Sequence, residues 1–256
     1  MKKTIGILGG MGPLATADLF RKITLFTKAG CDNDHIRVYI DSNAQIPDRT
    51  AAILNGGKDP LPEMRAALHS LEACGASCVI MPCNTAHSPR ILDVALERLR
   101  ATGLDVTFVS IIESAVRHVR ELCPEGGPFG LMGTVATLQT RLYQDALEKA
   151  GLEPVLPDAE DRAMVQRAIS DPEFGVKAFS DPVTSRARQI LLDTARRLVE
   201  EKHVSVILLG CTEIPVAVTE SRLWETPVVD ATSVLARELI RASCPERLKP
   251  LSAFQS

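Results

Sequence analysis

Two rhythms of apolar residues alternate along the first half of the chain. Residues 4–8 form a short apolar run that stops at Gly9-Gly10-Met11-Gly12-Pro13. Beyond it Leu19, Phe20, Ile23 and Phe26 recur at helical spacing. That is a strand, a glycine-rich turn and a helix. Residues 36–40 read as a second strand ending at Asp41-Ser42-Asn43, followed by a connection rich in Pro, Asp and Gly, and a helix near 62–73. A buried strand at 77–81 then runs into Pro82-Cys83-Asn84-Thr85-Ala86-His87. A helix over 89–100 and a strand over 106–110 close the half. Strands alternating with helices predict a parallel sheet covered on both faces.

The second half repeats the first. Phe129-Gly130-Leu131-Met132-Gly133-Thr134 echoes Ile5-Gly6-Ile7-Leu8-Gly9-Gly10 at an offset of 124 residues. Val206-Ile207-Leu208-Leu209-Gly210-Cys211-Thr212 echoes the segment from Cys78 to Asn84 at an offset of 128, and Val228-Val229-Asp230-Ala231 resembles Phe108-Val109-Ser110-Ile111 at 120. Three echoes in one order predict an α/β fold of two pseudo-symmetric Rossmann-like lobes. Their sheets are mostly parallel, and a cleft lies between them. The first lobe is expected to comprise residues 1–112 with 232–256, the second 113–231. Residues 154–161 read as an acidic loop, and the chain from 245 as a frayed or packing tail.

Composition narrows the function classes. A hydrophobic fraction of 45% and a charged fraction of 24% are those of a globular protein with a sizeable core. A net charge of −3 gives no electrostatic reason to expect nucleic acid or membrane partners. Apolar runs such as 204–209 are too short to span a bilayer, and the start of the chain lacks a secretory pattern, so a cytoplasmic protein is expected. The seven cysteines are an odd number and read as free thiols. Cys74, Cys78 and Cys83 lack the paired knuckle spacing of zinc sites.

Cys83 and Cys211 stand apart because they occupy equivalent positions of the repeat. Each follows an apolar strand, where ligands bind in open α/β sheets. A single cysteine there is most simply a small packing residue. Two at matching positions point instead to opposed thiols in one cleft. Inverting a stereocentre requires a base on one face of a carbon and an acid on the other, each changing protonation state in the cycle. A free thiol is only a few per cent ionised at neutral pH, and a helix N-terminus after each cysteine is expected to favour the thiolate. The carbanion also needs hydrogen-bond donors aimed at the carboxylate. Asn84, Thr85, Thr134, Thr137 and Thr212 lie in the strand-end loops and fit that need, or that of helix capping, or both.

These motifs resemble the aspartate/glutamate racemase superfamily over essentially the whole chain. The elements that carry the resemblance are Gly9-Gly10-Met11-Gly12-Pro13, Ile46-Pro47-Asp48-Arg49-Thr50, Pro82-Cys83-Asn84-Thr85-Ala86-His87, Gly133-Thr134-Val135-Ala136-Thr137 and Gly210-Cys211-Thr212-Glu213-Ile214-Pro215. The resemblance implies catalysis by Cys83 and Cys211 with no pyridoxal phosphate and no metal, the first serving the D- and the second the L-enantiomer. It implies that Asn84, Thr85, Thr134 and Thr212 hold the α-carboxylate and amino group, and that Arg49 binds a side-chain carboxylate, with Lys177 as a second cation. Met11, Thr137 and Glu213 complete the expected substrate-binding set. Glu213 could polarise Cys211 or cap the helix. His87 could assist proton transfer or orient its loop. Thr212-Glu213 stands where glutamate racemases carry Thr-His, and Gly10-Met11-Gly12 lacks their acidic residue. Both departures favour an aspartate racemase or a broader amino-acid racemase. The resemblance also admits a homodimer.

Other readings compete with this one. Gly10-x-Gly12-x-x-Ala15 after a strand, with Asp41 ending the next, matches a dinucleotide-binding turn. Pro13 and the duplicated cysteines speak against it. A maleate isomerase or hydantoin racemase uses a similar two-cysteine cleft. A two-lobed protein that merely binds a small molecule would need the cleft but not its thiols.

Overall fold

The computed structural model describes residues 4–94, 97 and 107–250. In the first sheet β1 (Ile5–Gly9) lies between β2 (Val38–Ser42) and β3 (Cys78–Ile80), with β4 (Thr107–Phe108) beyond β3, all parallel. The second sheet repeats that order. There β5 (Pro128–Met132) lies between β6 (Glu153–Val155) and β7 (Val206–Leu209), with β9 (Thr226–Asp230) beyond β7. A short strand, β8 (Arg222–Leu223), adds an antiparallel edge to β9. The sequence echoes therefore fall on equivalent strands: β1 with β5, β3 with β7, and β4 with β9.

The inner strands β1, β3, β5 and β7 are buried on both faces, which is why they read as continuous apolar runs. Alternation then decides which core each residue joins. Ile5 and Ile7, Cys78 and Ile80, Phe129 and Leu131, and Val206 and Leu208 enter one common core. Leu8, Val79 and Met81 face a second core with α3 (Leu61–Ala73). Met132, Ile207 and Leu209 face a third with α7 (Ala159–Ser170) and α8 (Ser185–Glu200). The common core joins the sheets through α1 (Pro13–Phe26), α4 (Ile111–Leu122), α6 (Leu142–Lys149) and α10 (Ala231–Ser243). Each fully buried Ile or Leu in these layers contributes about 1.5–3 kcal/mol.

Several boundaries differ from expectation. β2 begins at Val38 and runs on through Asp41 and Ser42. The connection before α3 contains a helix, α2 (Arg49–Leu54), capped by the Asp48 side chain, which accepts from Ala51 N at 2.7 Å. Residues 154–161 are not a loop throughout: Pro154 lies within β6 and α7 begins at Ala159. β6 is a sheet edge, where the missing N–H of proline removes no ladder bond. The expected helix over 89–100 and the start of the strand over 106–110 fall partly outside the described residues. The tail is docked as far as it is described. Leu248 bridges Thr27, and Lys249 N donates to Phe26 O at 2.9 Å. No described helix is long and apolar enough to cross a membrane.

Candidate active site

Equivalent strands deliver the two cysteines. β3 ends at Ile80 and the chain turns through Met81-Pro82 to Cys83; β7 ends at Leu209 and turns through Gly210 to Cys211. Both thiols are buried, free, and line one narrow cleft. The same cleft gathers Met11, Arg49, Asn84, Thr85, Thr134, Lys177, Thr212 and Glu213. Of the expected positions only Thr137 stands behind the wall, fully buried, with its hydroxyl 2.9 Å from that of Thr134 and 3.1 Å from that of Thr85. Asp48 and Thr50 also line the cleft, as flanks of the Arg49 motif. A wider vestibule shares Asp48, Arg49, Lys177 and Glu213 with it. A separate large depression around Lys22 and Asp230 contains no cysteine.

The cleft floor is stitched from both halves of the chain. Thr85 and Thr134 hydroxyls lie 3.0 Å apart, the Tyr143 hydroxyl donates to Asn84 Oδ1 at 2.6 Å, and Thr212 Oγ1 donates to Pro82 O at 3.3 Å. Burial holds the Tyr143 phenol well above its usual range, so it remains a donor. Thr134 also caps α5 (Val135–Gln139) by accepting from Thr137 N, so capping and site-building coincide. Tyr143 carried no motif and was not singled out by sequence. A tyrosine inside an amphipathic helix pattern reads as core.

Arg49 is buried and largely committed. Its Nη1 donates to the carbonyls of Ile46 and Pro47, and its Nη2 to that of Met11, leaving Nε without a partner. It locks the loop after β1 to the start of α2 and presents a fixed charge to the cleft. Lys177 stands at the mouth with much of its surface in solvent, although protein crowds its inner side. Burial pulls its pKa down, but Glu213, Cys211 and Cys83 pull it up, and the net shift is upward.

The two cysteines differ in their neighbours. Cys211 Sγ donates to Glu213 Oε2 at 3.0 Å, and burial, reinforced by that carboxylate, pushes its thiol well above the ordinary range. For Cys211 this corrects the expectation that a helix start would favour the thiolate. The helix after Cys211, α9 (Ile214–Ala217), is four residues long, and only a 3-10 turn (Thr85–His87) follows Cys83. At Cys211 desolvation outweighs so short a dipole. Glu213 precedes α9 without capping it by its side chain, which turns to Cys211 and Thr212 instead. His87 is fully enclosed and held neutral by burial, its pKa lowered to about 4. Its Nδ1 donates to Cys83 O at 2.9 Å and its Nε2 accepts from Ile111 N at 3.5 Å, so it orients the Cys83 loop.

The glycine turn serves close packing. Gly10 has φ +88°, and a Cβ there would lie 2.3 Å from the carbonyl carbon of Asn43. Gly12 places backbone directly beside Glu213 Oε1, 3.2 Å from where a Cβ would be. This glycine pattern is thereby used by the cleft itself, against the dinucleotide reading. Among the described residues no three His, Cys, Asp or Glu side chains cluster as metal ligands.

Known proteins resemble this chain over most of its length. A family model described as Asp/Glu/Hydantoin racemase matches residues 8–239. The broad specificity amino-acid racemase of Bacillus subtilis (strain 168) is 26% identical over 248 residues, covering 92% of this chain and 96% of that protein. A glutamate racemase of Mycobacterium leprae (strain TN) is 29% identical over 214 residues, covering 77% of this chain and 71% of that protein. The solved structure of Picrophilus torridus aspartate racemase matches with a TM-score of 0.77 at 27% identity, over 96% of both chains.

Proposed function

Since the chain belongs to the Asp/Glu/hydantoin racemase family, a family of isomerases, we propose that it interconverts the enantiomers of an acidic α-amino acid, aspartate foremost, without a cofactor. Cys83 and Cys211 serve as the two bases. One thiolate removes the α-proton and the opposite thiol returns a proton to the other face, so each turnover moves one proton onto one sulfur and one off the other. In this reading residues 1–112 with 232–256 form the lobe that carries Cys83, and residues 113–231 the lobe that carries Cys211. The observation that carries the proposal is the pair of buried thiols from equivalent strand ends in one polar cleft.

The carbanion needs donors, and the cleft holds two buried ones without partners, Asn84 Nδ2 and Arg49 Nε. Held in place by Tyr143 and by three backbone carbonyls, they require little reorganisation to meet carboxylate oxygens. Arg49 and Lys177 supply the positive charge that an acidic side chain seeks, which favours aspartate over hydantoins. The vestibule beside Lys177 supports a second reading, broader specificity, because it leaves room for longer side chains.

The test is proton NMR of L-aspartate in deuterium oxide with purified, reduced protein and no added cofactor, alongside chiral chromatography. Loss of the α-proton signal with appearance of D-aspartate is the expected result. Activity with other amino acids but not aspartate would move the assignment to the broad-specificity reading. Inactivity with all of them would overturn the racemase proposal for this cleft.

A further inference from the structure

Glu213 has one oxygen occupied and one open. Oε2 accepts from Cys211 Sγ at 3.0 Å and lies 3.3 Å from Thr212 Oγ1. Oε1 is buried and has no hydrogen-bond partner, on a residue only 6% exposed. A buried carboxylate oxygen left without a hydrogen bond is an unfavourable arrangement that calls for an explanation, and a ligand is one. The other buried unpartnered atoms on cleft residues, Asn84 Nδ2 and Arg49 Nε, are donors. Two donors and one acceptor are the inverse image of a molecule bearing both carboxylate and ammonium groups.

We propose that Glu213 Oε1 receives the α-ammonium group of the substrate, so that a single carboxylate holds both the Cys211 thiol and the amine of the amino acid on which that thiol acts. The assignment rests on the acidic amino-acid reading of the cleft and adds the element that recognises the amine. It fits the geometry. The α-nitrogen is one bond from the carbon that changes hand, and Oε1 belongs to the group already hydrogen-bonded to one base. Gly12 supports the placement, because any side chain there would crowd Oε1 from the turn after β1. The chemical consequence is discrimination. Dicarboxylates without an ammonium group leave Oε1 unpaired, and hydantoins offer it only an uncharged ring N–H in place of a charge-assisted bond.

The experiment compares the unaltered protein with Glu213→Gln, using DL-aspartate and succinate as calorimetric ligands, with reducing agent present. The glutamine side chain is nearly isosteric with the native carboxylate but lacks its charge. The expected result is a loss of aspartate affinity of about 10- to 100-fold, while succinate binds as before or more tightly. Melting temperatures verify folding. Glu213→Asp, which retains the charge on a shorter arm, should keep part of the preference for aspartate over succinate. Equal weakening of both ligands, or an unchanged affinity ratio, overturns the proposal, since a purely structural or Lys177-directed carboxylate would affect them alike. An unaltered protein that binds succinate but not aspartate overturns it as well. One that binds neither fails the acidic-substrate reading of the cleft, and this assignment falls with it.

Discussion

At the scale of single residues, His87 shows how a functional-looking side chain is spent on structure. Both imidazole nitrogens are used, and a charged ring would have to give up the bond from Ile111 N. Its folded pKa of about 4 lies below the unfolded value of 6.5. The unfolded state therefore takes up the proton first as pH falls. The stability contributed by the neutral ring is complete above pH 6.5 and is lost as pH drops through about 4, with a total on the order of 3 kcal/mol. Urea unfolding between pH 7 and pH 4 should show this loss, and His87→Asn should flatten it. A parallel decline in both proteins would remove His87 from the account. The sequence left His87 between proton transfer and loop orientation because a motif gives neighbours and not burial. For the same reason it named Arg49 but not the three carbonyls that occupy it, and it missed Tyr143 altogether. The cysteines were legible because duplication singles out a residue without any structural knowledge.

At the scale of elements, α1 and the start of α10 are joined by a buried cation. Lys22 on α1 pairs with Asp18 of its own helix and with Asp230, 2.6 Å away, which also caps α10 through Thr232 N. Burial alone would lower the Lys22 pKa, but the two carboxylates raise it above its ordinary value. Lys22→Met would leave two partly buried carboxylates facing each other, and a loss of about 3–5 kcal/mol is expected in denaturant unfolding. Adding Asp230→Asn, which keeps an oxygen for the cap, should recover part of that loss; no recovery would mean that packing, not charge, is at stake. Gly10→Ala makes a second expectation at this scale. Its φ of +88° and the 2.3 Å approach to Asn43 should make the variant markedly less stable or insoluble, with little scope for local relief. Elements with a long period were legible: α3 was expected over 62–73 and spans Leu61–Ala73. The six residues of α2 and three of β6 are too few to display a rhythm, and Pro154 disguised the strand.

At the scale of the whole molecule, repetition made the architecture readable. The echoes on β1 and β5, β3 and β7, and β4 and β9 follow the same strand order in each sheet, so sequence alone brought the two thiols to corresponding edges. What it could not convey is where the symmetry stops. On the two-base mechanism, Cys83→Ala and Cys211→Ala should each abolish racemisation, and each should retain deuterium exchange into one enantiomer only. Full racemisation by either variant, read by chiral chromatography, would refute the pairing. The carboxylate hydrogen-bonded to Cys211 also bears on kinetics. Mirror-image reactants in an achiral solvent have equal free energies, so the overall equilibrium constant is one, and kcat/KM must be identical in both directions at every pH. A lopsided pair of bases cannot make the enzyme favour one hand. It can act only on saturation, by loading one enantiomer more heavily and releasing it more slowly, so that kcat and KM differ between the hands by the same factor.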